Sequence, residues 1–238
     1  MAKQQSMKAG VLVTGANRGL GLEWVRQYAQ AGWRVYATCR RPEEAAELKA
    51  LAGAHPGLSV HRLDVTDGEQ LHTLQLDLEE ARIDVLVNNA GVYLDKFSGD
   101  LGGIDYEAWK RSFAVNTLGA VRVTEALVEQ VARSEQRLVV AITSHMGSIA
   151  EIAAPGNYAY RSSKAALNAA MKGLSHALAQ RHIGVLLLHP GWAQTRMGGP
   201  GAPLSVEQSV QGMRAMVEGF TPQTSGAFFR YNGTEIPW

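Results

Sequence analysis

Apolar positions recur along the chain with two different spacings. Short runs of β-branched and other apolar residues predict strands, and the stretches between them, with apolar residues three or four positions apart, predict helices. The first such unit has a strand at Ala9–Val13, a turn at Thr14-Gly15, and a helix that carries Leu20, Trp24 and Tyr28 on one face. The chain therefore begins with a strand, a turn and a helix.

The same unit repeats to the end of the chain. Further strands are predicted at Arg34–Thr38, Leu58–Leu63, Ile83–Asn88, Leu138–Thr143, Val185–His189 and Ala227–Tyr231. The helices between them are predicted at Pro42–Leu51, Gly68–Leu78, Tyr106–Ala132, Tyr158–Gln180 and Val206–Val217. Apolar strands that alternate with helices are typical of a parallel sheet covered on both faces. We therefore predict an α/β fold, a Rossmann-type doubly wound parallel sheet of about seven strands.

Nothing in the 238 residues divides them into two cores. We find no internal repeat and no linker, so residues 9–238 are expected to form one domain after a flexible polar tail at residues 1–8. The tail lacks the apolar stretch of a secretory signal, and the longest apolar runs, such as Val185–Leu188, are far shorter than the roughly 18 residues of a membrane span. The sequence predicts a cytoplasmic protein that does not enter a membrane.

Composition argues against several classes of function. The 23 basic and 22 acidic residues give a net charge of +1, without the basic surface expected of a nucleic-acid-binding protein. Cys39 is the only cysteine, so we expect no internal disulfide and a small buried side chain. The histidines include no H-E-x-x-H motif, and no metal site is predicted.

The turn after the first strand has the composition of a phosphate-binding loop. Its glycines are spaced G-x-x-x-G-x-G, which lets the backbone approach a pyrophosphate at the N-terminus of the following helix. The candidate cofactor-binding residues of this turn are Gly15, Asn17, Arg18, Gly19, Leu20 and Gly21. Tight turns use glycine without any ligand, but the position after the first strand favours a dinucleotide.

The end of the second predicted strand indicates which dinucleotide. An acid at this point binds the adenosine 2′-hydroxyl of NAD, whereas arginine accommodates the 2′-phosphate of NADP. Here the sequence is Thr38-Cys39-Arg40-Arg41, with no acid before Glu43, and Arg18 could add a further cation. Adjacent arginines are commonly just a solvated turn; together with the glycine turn, they predict that NADP(H) is preferred over NAD(H).

A phenol and an ammonium lie one helical turn apart at Tyr160 and Lys164. Tyrosine, with a pKa of roughly 10, is a weak acid–base catalyst at neutral pH, and a nearby positive charge favours its phenolate. Such a pair could protonate a carbonyl oxygen or deprotonate an alcohol. The spacing alone arises by chance in many helices.

A series of motifs runs through nearly the whole chain in a characteristic order. They are Thr14-Gly-x-x-x-Gly-x-Gly21, Asp64-Val65, Asn88-Asn89-Ala90-Gly91, Asn116, Ser144, Tyr160-x-x-x-Lys164 and Pro190-Gly191. In this order they resemble the short-chain dehydrogenase/reductase family. The stretches Tyr158–Asn168, His189–Trp192, Met197–Gly199 and Tyr231–Trp238 resemble the branch that contains C-factor and the sniffer-like carbonyl reductases.

The resemblance implies four catalytic residues. Tyr160 would be the general acid/base, and Lys164 would bind the nicotinamide ribose and lower the pKa of the tyrosine. Ser144 would hydrogen-bond the substrate oxygen, and Asn116, inside the long helix, would hold a water linking Lys164 to solvent. Ser148 competes with Ser144, because sixteen residues separate Ser144 from Tyr160 where many members have thirteen; we favour Ser144 and place the extra residues in the loop before Asn157.

The resemblance also implies further cofactor contacts. Asp64 and Val65 would contact adenine, and Ala193 and Thr195 the nicotinamide amide. The remaining candidates beside the cofactor are Asn89, Ala90, Gly91, Pro190, Gly191 and the pair Tyr160 and Lys164. Arg196, where related sequences often carry an acid, and His145 depart from the family pattern, and either could tune substrate choice.

These observations predict an NADP(H)-dependent oxidoreductase acting on carbonyl or alcohol groups of a small molecule. Loops at Asp95–Asp105 and Trp192–Leu204 follow strand ends and are candidate substrate loops. The alternative is an NADP-binding, C-factor-like signalling or regulatory protein with little catalysis.

A serine hydrolase is disfavoured, because Gly173–Ala177 lies mid-helix and lacks the final glycine of a nucleophile elbow. A homodimer or homotetramer is possible through the helices Tyr106–Ala132 and Tyr158–Gln180.

Overall fold

Seven parallel strands form one sheet at the centre of the protein. The computed structural model describes residues 8–96 and 101–238, so the predicted tail, apart from Lys8, lies outside the described residues. The strands are β1 (Gly10–Val13), β2 (Arg34–Cys39), β3 (Leu58–Arg62), β4 (Val85–Asn88), β5 (Leu138–Ile142), β6 (Gly184–His189) and β7 (Ala227–Arg230). Their order is β3-β2-β1-β4-β5-β6-β7, which confirms the doubly wound α/β fold.

Helices connect the strands and cover both faces of the sheet. They are α1 (Gly19–Gln30), α2 (Ala46–Ala54), α3 (Gly68–Asp77), α4 (Tyr106–Phe113), α5 (Ala120–Ala126), α6 (Val128–Ala132), α7 (Tyr158–Ala179) and α8 (Val206–Glu218). Within residues 8–96 and 101–238, none of them is long and apolar enough to cross a membrane.

Two hydrophobic layers sandwich the sheet, which explains why its central strands are mainly apolar. Val11 and Val13 of β1 pack in one layer with Trp24 and Tyr28 of α1. Leu12, between them, faces the other layer, where it joins Met171 of α7. Since successive side chains of a strand point to opposite faces, both sets must be apolar when both faces are covered.

The strand order reverses at β1, which pairs with β2 on one side and with β4 on the other. In open α/β sheets, the crevice beyond the carboxyl ends of strands at such a reversal is the ligand site. The segments after β1 and β4 carry the glycine turn and Asn89-Ala90-Gly91. The fold therefore brings these two motifs to one edge of the sheet.

The long helix predicted at Tyr106–Ala132 is interrupted. A π-helix at Ala114–Gly119 separates α4 from α5, and Leu127 separates α5 from α6. The Asn116 amide bonds the backbone of Val92, at 2.8 Å from the Val92 nitrogen and 2.9 Å from its oxygen. Single π turns inside α-helices are common at functional sites, and this one carries a predicted catalytic residue.

The helix predicted at Pro42–Leu51 is likewise divided. Pro42–Glu44 forms a 3-10 turn, and α2 begins only at Ala46, after Ala45 leaves helical geometry with φ −89° and ψ 68°. Ala45 is buried. The spacing of apolar residues along the sequence does not predict this break.

Candidate active site

Close packing of the backbone requires glycine in the turn after β1. Gly15 and Gly19 have φ values of +65° and +52°, in the left-handed region where glycine is unstrained. At Gly21, a Cβ would collide with the carbonyl oxygen of Gly15 and approach within 2.6 Å of the Asn89 amide nitrogen. The turn thus leads directly into the N-terminus of α1, where free N–H groups can bind an anion.

Asn89 holds this turn in place. Its side-chain nitrogen donates to the carbonyl of Thr14 at 2.8 Å, and its backbone nitrogen donates to the Thr14 hydroxyl at 2.9 Å. The backbone nitrogen of Ala90 donates to the same hydroxyl at 3.0 Å. These bonds join the ends of β1 and β4 into one rigid wall.

A groove of about 550 Å³ runs along this edge of the sheet. The predicted site residues that line it are Gly15, Asn17, Arg18, Gly19, Leu20, Gly21, Arg40, Arg41, Asp64, Val65, Asn89, Ala90, Gly91, Tyr160, Lys164, Pro190 and Thr195. Most of the sequence-predicted residues are therefore brought together.

Four predicted residues stand behind the lining. Ser144 hydrogen-bonds Tyr160, and Asn116 bonds the groove residue Val92. Ala193 is buried and accepts a hydrogen bond from the Thr195 nitrogen at 2.8 Å. Gly191 has φ +75°, and a Cβ there would lie 2.9 Å from Leu204 and 3.0 Å from Tyr231. These four support the groove wall.

Arginines gather at one end of the groove. Arg18 comes from the glycine turn, Arg40 from the end of β2, and Arg196 from the loop after β6. Partial burial, followed by the positive charges of Arg196 and Arg40, lowers the pKa of Arg18. Arg41 differs, since its guanidinium pairs with Glu44 at 2.8 Å. Three guanidinium groups that repel one another create a site suited to a multiply charged anion.

Asp64 lies at the same end of the groove. Its Oδ1 atom accepts hydrogen bonds from the Thr66 nitrogen at 3.0 Å and the Thr66 hydroxyl at 2.7 Å. Burial alone would raise the pKa of this carboxyl, but the Thr66 donors and the charges of Arg40 and Arg111 hold it below its usual range. Asp64 is therefore a fixed anionic acceptor near Arg40.

Tyr160 occupies the first turn of α7, is buried and lines the groove. Burial raises the pKa of its phenol to about 12, and the hydrogen bond with Ser144 opposes that rise. Ser144 is itself oriented by the Met146 nitrogen, which donates to its hydroxyl at 3.1 Å. Ser148 is fully buried and instead accepts from the Glu151 nitrogen at 3.2 Å, so the local geometry favours Ser144 as the partner of Tyr160.

Lys164 projects from α7 beneath the groove. Its Nζ atom donates to the carbonyl of Ile142 at 2.9 Å and lies 6.0 Å from the centre of the Tyr160 ring. Burial lowers the pKa of this ammonium to about 8. The net effect of the surroundings is to raise the pKa of Tyr160, chiefly through burial. The lowering of this pKa by Lys164, which the family resemblance implies, therefore stays a prediction.

Asn116 links three parts of the site. Besides its bonds to Val92, its amide nitrogen donates to the Ser163 hydroxyl of α7 at 2.9 Å. A Cβ on Gly91 would lie 3.3 Å from the Asn116 oxygen and 3.7 Å from Lys164 Nζ. Asn116 therefore fixes the segment after β4 against Lys164, while its contact with a water stays a prediction.

The loop after β6 and the segment after β4 meet above the groove. Lys96 Nζ donates to the carbonyl of Met197 at 3.1 Å. Thr195 packs over the glycine turn, its Cγ2 atom 3.4 Å from the position of a Cβ on Gly19.

His145, the residue after Ser144, contacts Glu151 and His189. Its Nδ1 atom lies 3.4 Å from the Glu151 carboxylate, and its ring centre lies 4.8 Å from that of His189.

Sequence reasoning names Asp95 only as the first residue of the loop Asp95–Asp105, of which residues 97–100 lie outside the described residues, and it does not single out Tyr93. Tyr93 lines the groove and stacks on Tyr160, with 4.2 Å between ring centres. Asp95 accepts hydrogen bonds from the first turn of α7. The only available signal was their place in a segment that follows a strand end at the ligand edge.

The described residues contain no group of three His, Cys, Asp or Glu side chains that could hold a metal ion.

Comparisons with known proteins agree with this geometry. The short chain dehydrogenase family model matches residues 9–202. C-signal of Myxococcus xanthus is 47% identical over 159 residues, covering 66% of this chain and 93% of that protein. The carbonyl reductase Sniffer of D. melanogaster superposes with a TM-score of 0.89 at 30% identity, over 98% of this chain and 100% of that one. NADPH-bound carbonyl reductase from chicken fatty liver gives 0.90 at 29% identity, over 98% and 99%.

The family match spans well over half of the chain, and the structural likeness extends over nearly all of it. The sheet topology agrees with this assignment, and the glycine turn, Tyr160 and Lys164 all line one groove. The chain belongs to the short-chain dehydrogenase family and is an oxidoreductase that acts on alcohol or carbonyl groups with a nicotinamide cofactor.

Proposed function

We propose that this protein is an NADP(H)-dependent carbonyl reductase in which Tyr160 is the general acid/base. The observation that carries the proposal is the placement of the Tyr160 phenol in the groove, held by Ser144 and one helical turn from Lys164. Reduction of a ketone or aldehyde needs a proton donor at the oxygen, and this phenol is the group so placed.

The groove fits a dinucleotide. The glycine turn would hold the pyrophosphate, since side chains at Gly15, Gly19 and Gly21 would be strained or would collide with the wall. Asp64 and Val65 would contact adenine. At the nicotinamide end, the amide would meet Ala193 and Thr195, with Asn89, Ala90, Gly91, Pro190 and Gly191 forming the wall and Lys164 binding the ribose. When bound, the nicotinamide supplies the hydride.

The arginine cluster supports a preference for the phosphorylated cofactor. Arg18 and Arg40 are exposed and line the groove beside Asp64. The end of β2 offers arginine where a 2′-hydroxyl would favour an acid. Arg41 contributes less in this proposal, because Glu44 pairs with its guanidinium.

The protein's own residues control the proton. A phenol with a pKa of about 12 is protonated at neutral pH, so Tyr160 is ready to donate to a carbonyl oxygen. Ser144 would hydrogen-bond that oxygen as negative charge develops on it. After donation, the Lys164 ammonium favours the phenolate until a proton returns. These states suit carbonyl reduction, with alcohol oxidation as the reverse.

The rim of the groove indicates the substrate class. Exposed Leu94 and Met197 line the groove, and exposed Trp192 donates to the carbonyl of Gly198 in the loop that carries Met197. An apolar rim favours medium-sized aldehydes or ketones. Arg196 lies close enough to Arg18 that its charge lowers the pKa of Arg18, so in this proposal Arg196 acts at the cofactor phosphate rather than at the substrate.

The test is loss of NADPH absorbance with purified protein and a panel of aldehydes, ketones, diketones and quinones, with NADH run in parallel. Turnover that prefers NADPH supports the proposal. The 47% identity to C-signal keeps one alternative, an NADP-binding signalling or regulatory protein. Tight NADPH binding without turnover of any carbonyl would favour that alternative.

A further inference from the structure

The segment that follows β4 makes direct contacts with the start of α7, the helix that carries Tyr160. The Asp95 carboxylate accepts from the Ala159 nitrogen at 2.7 Å and from the Tyr160 nitrogen at 3.2 Å. These are the second and third residues of α7. An N-cap side chain normally satisfies these N–H groups from the adjacent position in the sequence, whereas here the acceptor comes from 64 residues away.

The local N-cap is used for another purpose. Asn157 precedes α7 in the left-handed conformation, φ 57° and ψ 34°, and its side chain makes no capping bond. Its Oδ1 atom instead accepts from the Tyr93 hydroxyl at 2.7 Å. The segment after β4 and the start of α7 are therefore joined by hydrogen bonds, and each of the two supplies donors as well as acceptors.

Tyr93 completes the connection at the reacting group itself. Its ring lies 4.2 Å from that of Tyr160 at an interplanar angle of 21°. Stacked aromatic pairs contribute beyond their buried area and fix ring orientation. Val92, the preceding residue, is held by the Asn116 amide, so the base of this segment is also fixed.

We propose that Tyr93 and Asp95 are positioning residues for Tyr160: Asp95 caps the first turn of its helix, and the Tyr93 ring holds its phenol at the angle that proton transfer requires. The inference rests on the proposed role of Tyr160. Misplacing a reacting group by about 1 Å costs on the order of 100-fold in rate, so a small change at either residue is expected to lower kcat.

The test compares Asp95→Ala, Asp95→Asn, Tyr93→Leu and Tyr93→Phe. We expect Asp95→Ala and Tyr93→Leu to lower kcat by about 10- to 100-fold, with the Kd for NADPH unchanged. Asp95→Asn keeps one acceptor oxygen and Tyr93→Phe keeps the ring, so each should restore most of the rate. Because the Tyr93 phenol contributes to raising the pKa of Tyr160, Tyr93→Phe should also shift the alkaline limb of the kcat/KM profile to lower pH.

Ser205→Ala is the matched control, since Ser205 caps α8 through the Gln208 nitrogen at 3.1 Å and does not line the groove. An equal fall in kcat in Ser205→Ala, or unchanged kcat in folded Asp95→Ala and Tyr93→Leu, would overturn the positioning role. Tyr160→Phe separates the two claims. If that variant keeps its turnover, the proposed function fails; if it is inactive while Asp95→Ala is normal, only the positioning role fails.

Discussion

Lys164 Nζ donates to the carbonyl of Ile142 at the end of β5, at 2.9 Å, and this bond spans from α7 to the sheet. Its ammonium is buried, with its pKa lowered to about 8. A buried cation with one carbonyl partner is an unfavourable arrangement for folding alone. The sequence retains it where the chemistry proposed for Tyr160 needs a positive charge.

Stability should therefore rise as the pH increases from about 8. From there the unfolded chain still binds the Lys164 proton that the folded protein has lost, so the free energy of unfolding increases with pH. Above about pH 9 the rise is opposed, and it then reverses, because burial raises the pKa of the Cys39 thiol and raises that of Tyr160 to about 12. Urea unfolding across this range should show the rise, and Lys164→Met should remove it while lowering kcat at least about 100-fold. An identical pH dependence in the variant would contradict this account.

On the acid side, His189 should weaken the fold. Burial, with smaller contributions from the charges of His145 and Arg230, lowers its pKa to about 3. Stability present above about pH 6.5 is lost as the pH falls toward 3, because the unfolded chain binds a proton that the folded one excludes. His189→Gln should flatten this slope in urea unfolding. His72→Gln, at an exposed position on α3, is the control and should leave the slope unchanged.

Arg40 should distinguish the two dinucleotides. In the proposed function Arg40 makes a charge-assisted contact to the 2′-phosphate, so Arg40→Ala should raise the Kd for NADPH about 10- to 100-fold while that for NADH changes little. Arg41→Ala should have a smaller effect, because Glu44 already pairs with that side chain. Arg34→Ala, exposed at the opposite end of β2, is the control for calorimetric titration. Equal losses for NADPH and NADH would argue against a 2′-phosphate site.

Gly21→Ala should damage both folding and cofactor binding. The added Cβ meets the Gly15 carbonyl and the Asn89 amide, so the turn must shift, at a cost of about 1–3 kcal/mol. Gly173→Ala is the matched control, since that position in α7 is exposed and open. It should stabilise the protein by about 0.5–1 kcal/mol. Thermal unfolding with and without NADPH measures both, and a Gly21→Ala variant as stable as Gly173→Ala would contradict the close packing of the turn.

The α/β fold was predictable because the central strands β1, β4, β5 and β6 are buried on both faces. An apolar run such as Val185–Leu188 suits a strand of a covered sheet, and the alternation with helices then favours parallel strands. The position of the groove was predictable from the same alternation. The glycine turn and Asn89-Ala90-Gly91 follow β1 and β4, which are neighbours where the strand order reverses. The family, the fold and the class of enzyme are confirmed.

The remainder depended on contacts between distant residues. The π-helix at Ala114–Gly119 coincides with the bonds from Asn116 to Val92, which periodicity does not encode. The cap of α7 comes from Asp95, while the apparent local cap, Asn157, faces Tyr93. The roles of the site residues, the preference for NADP(H), the oligomeric state and the cytoplasmic location stay predictions.

The most direct test of the central claim is turnover of a carbonyl substrate with NADPH by Tyr160→Phe beside Tyr158→Phe. Both variants lose a phenolic hydroxyl in the first turn of α7, and only Tyr160 lines the groove and bonds Ser144. We predict that Tyr160→Phe binds NADPH normally and loses about 100- to 10,000-fold in kcat, whereas Tyr158→Phe stays close to the parent protein. Turnover by Tyr160→Phe equal to that of Tyr158→Phe would contradict the assignment of Tyr160 as the proton donor.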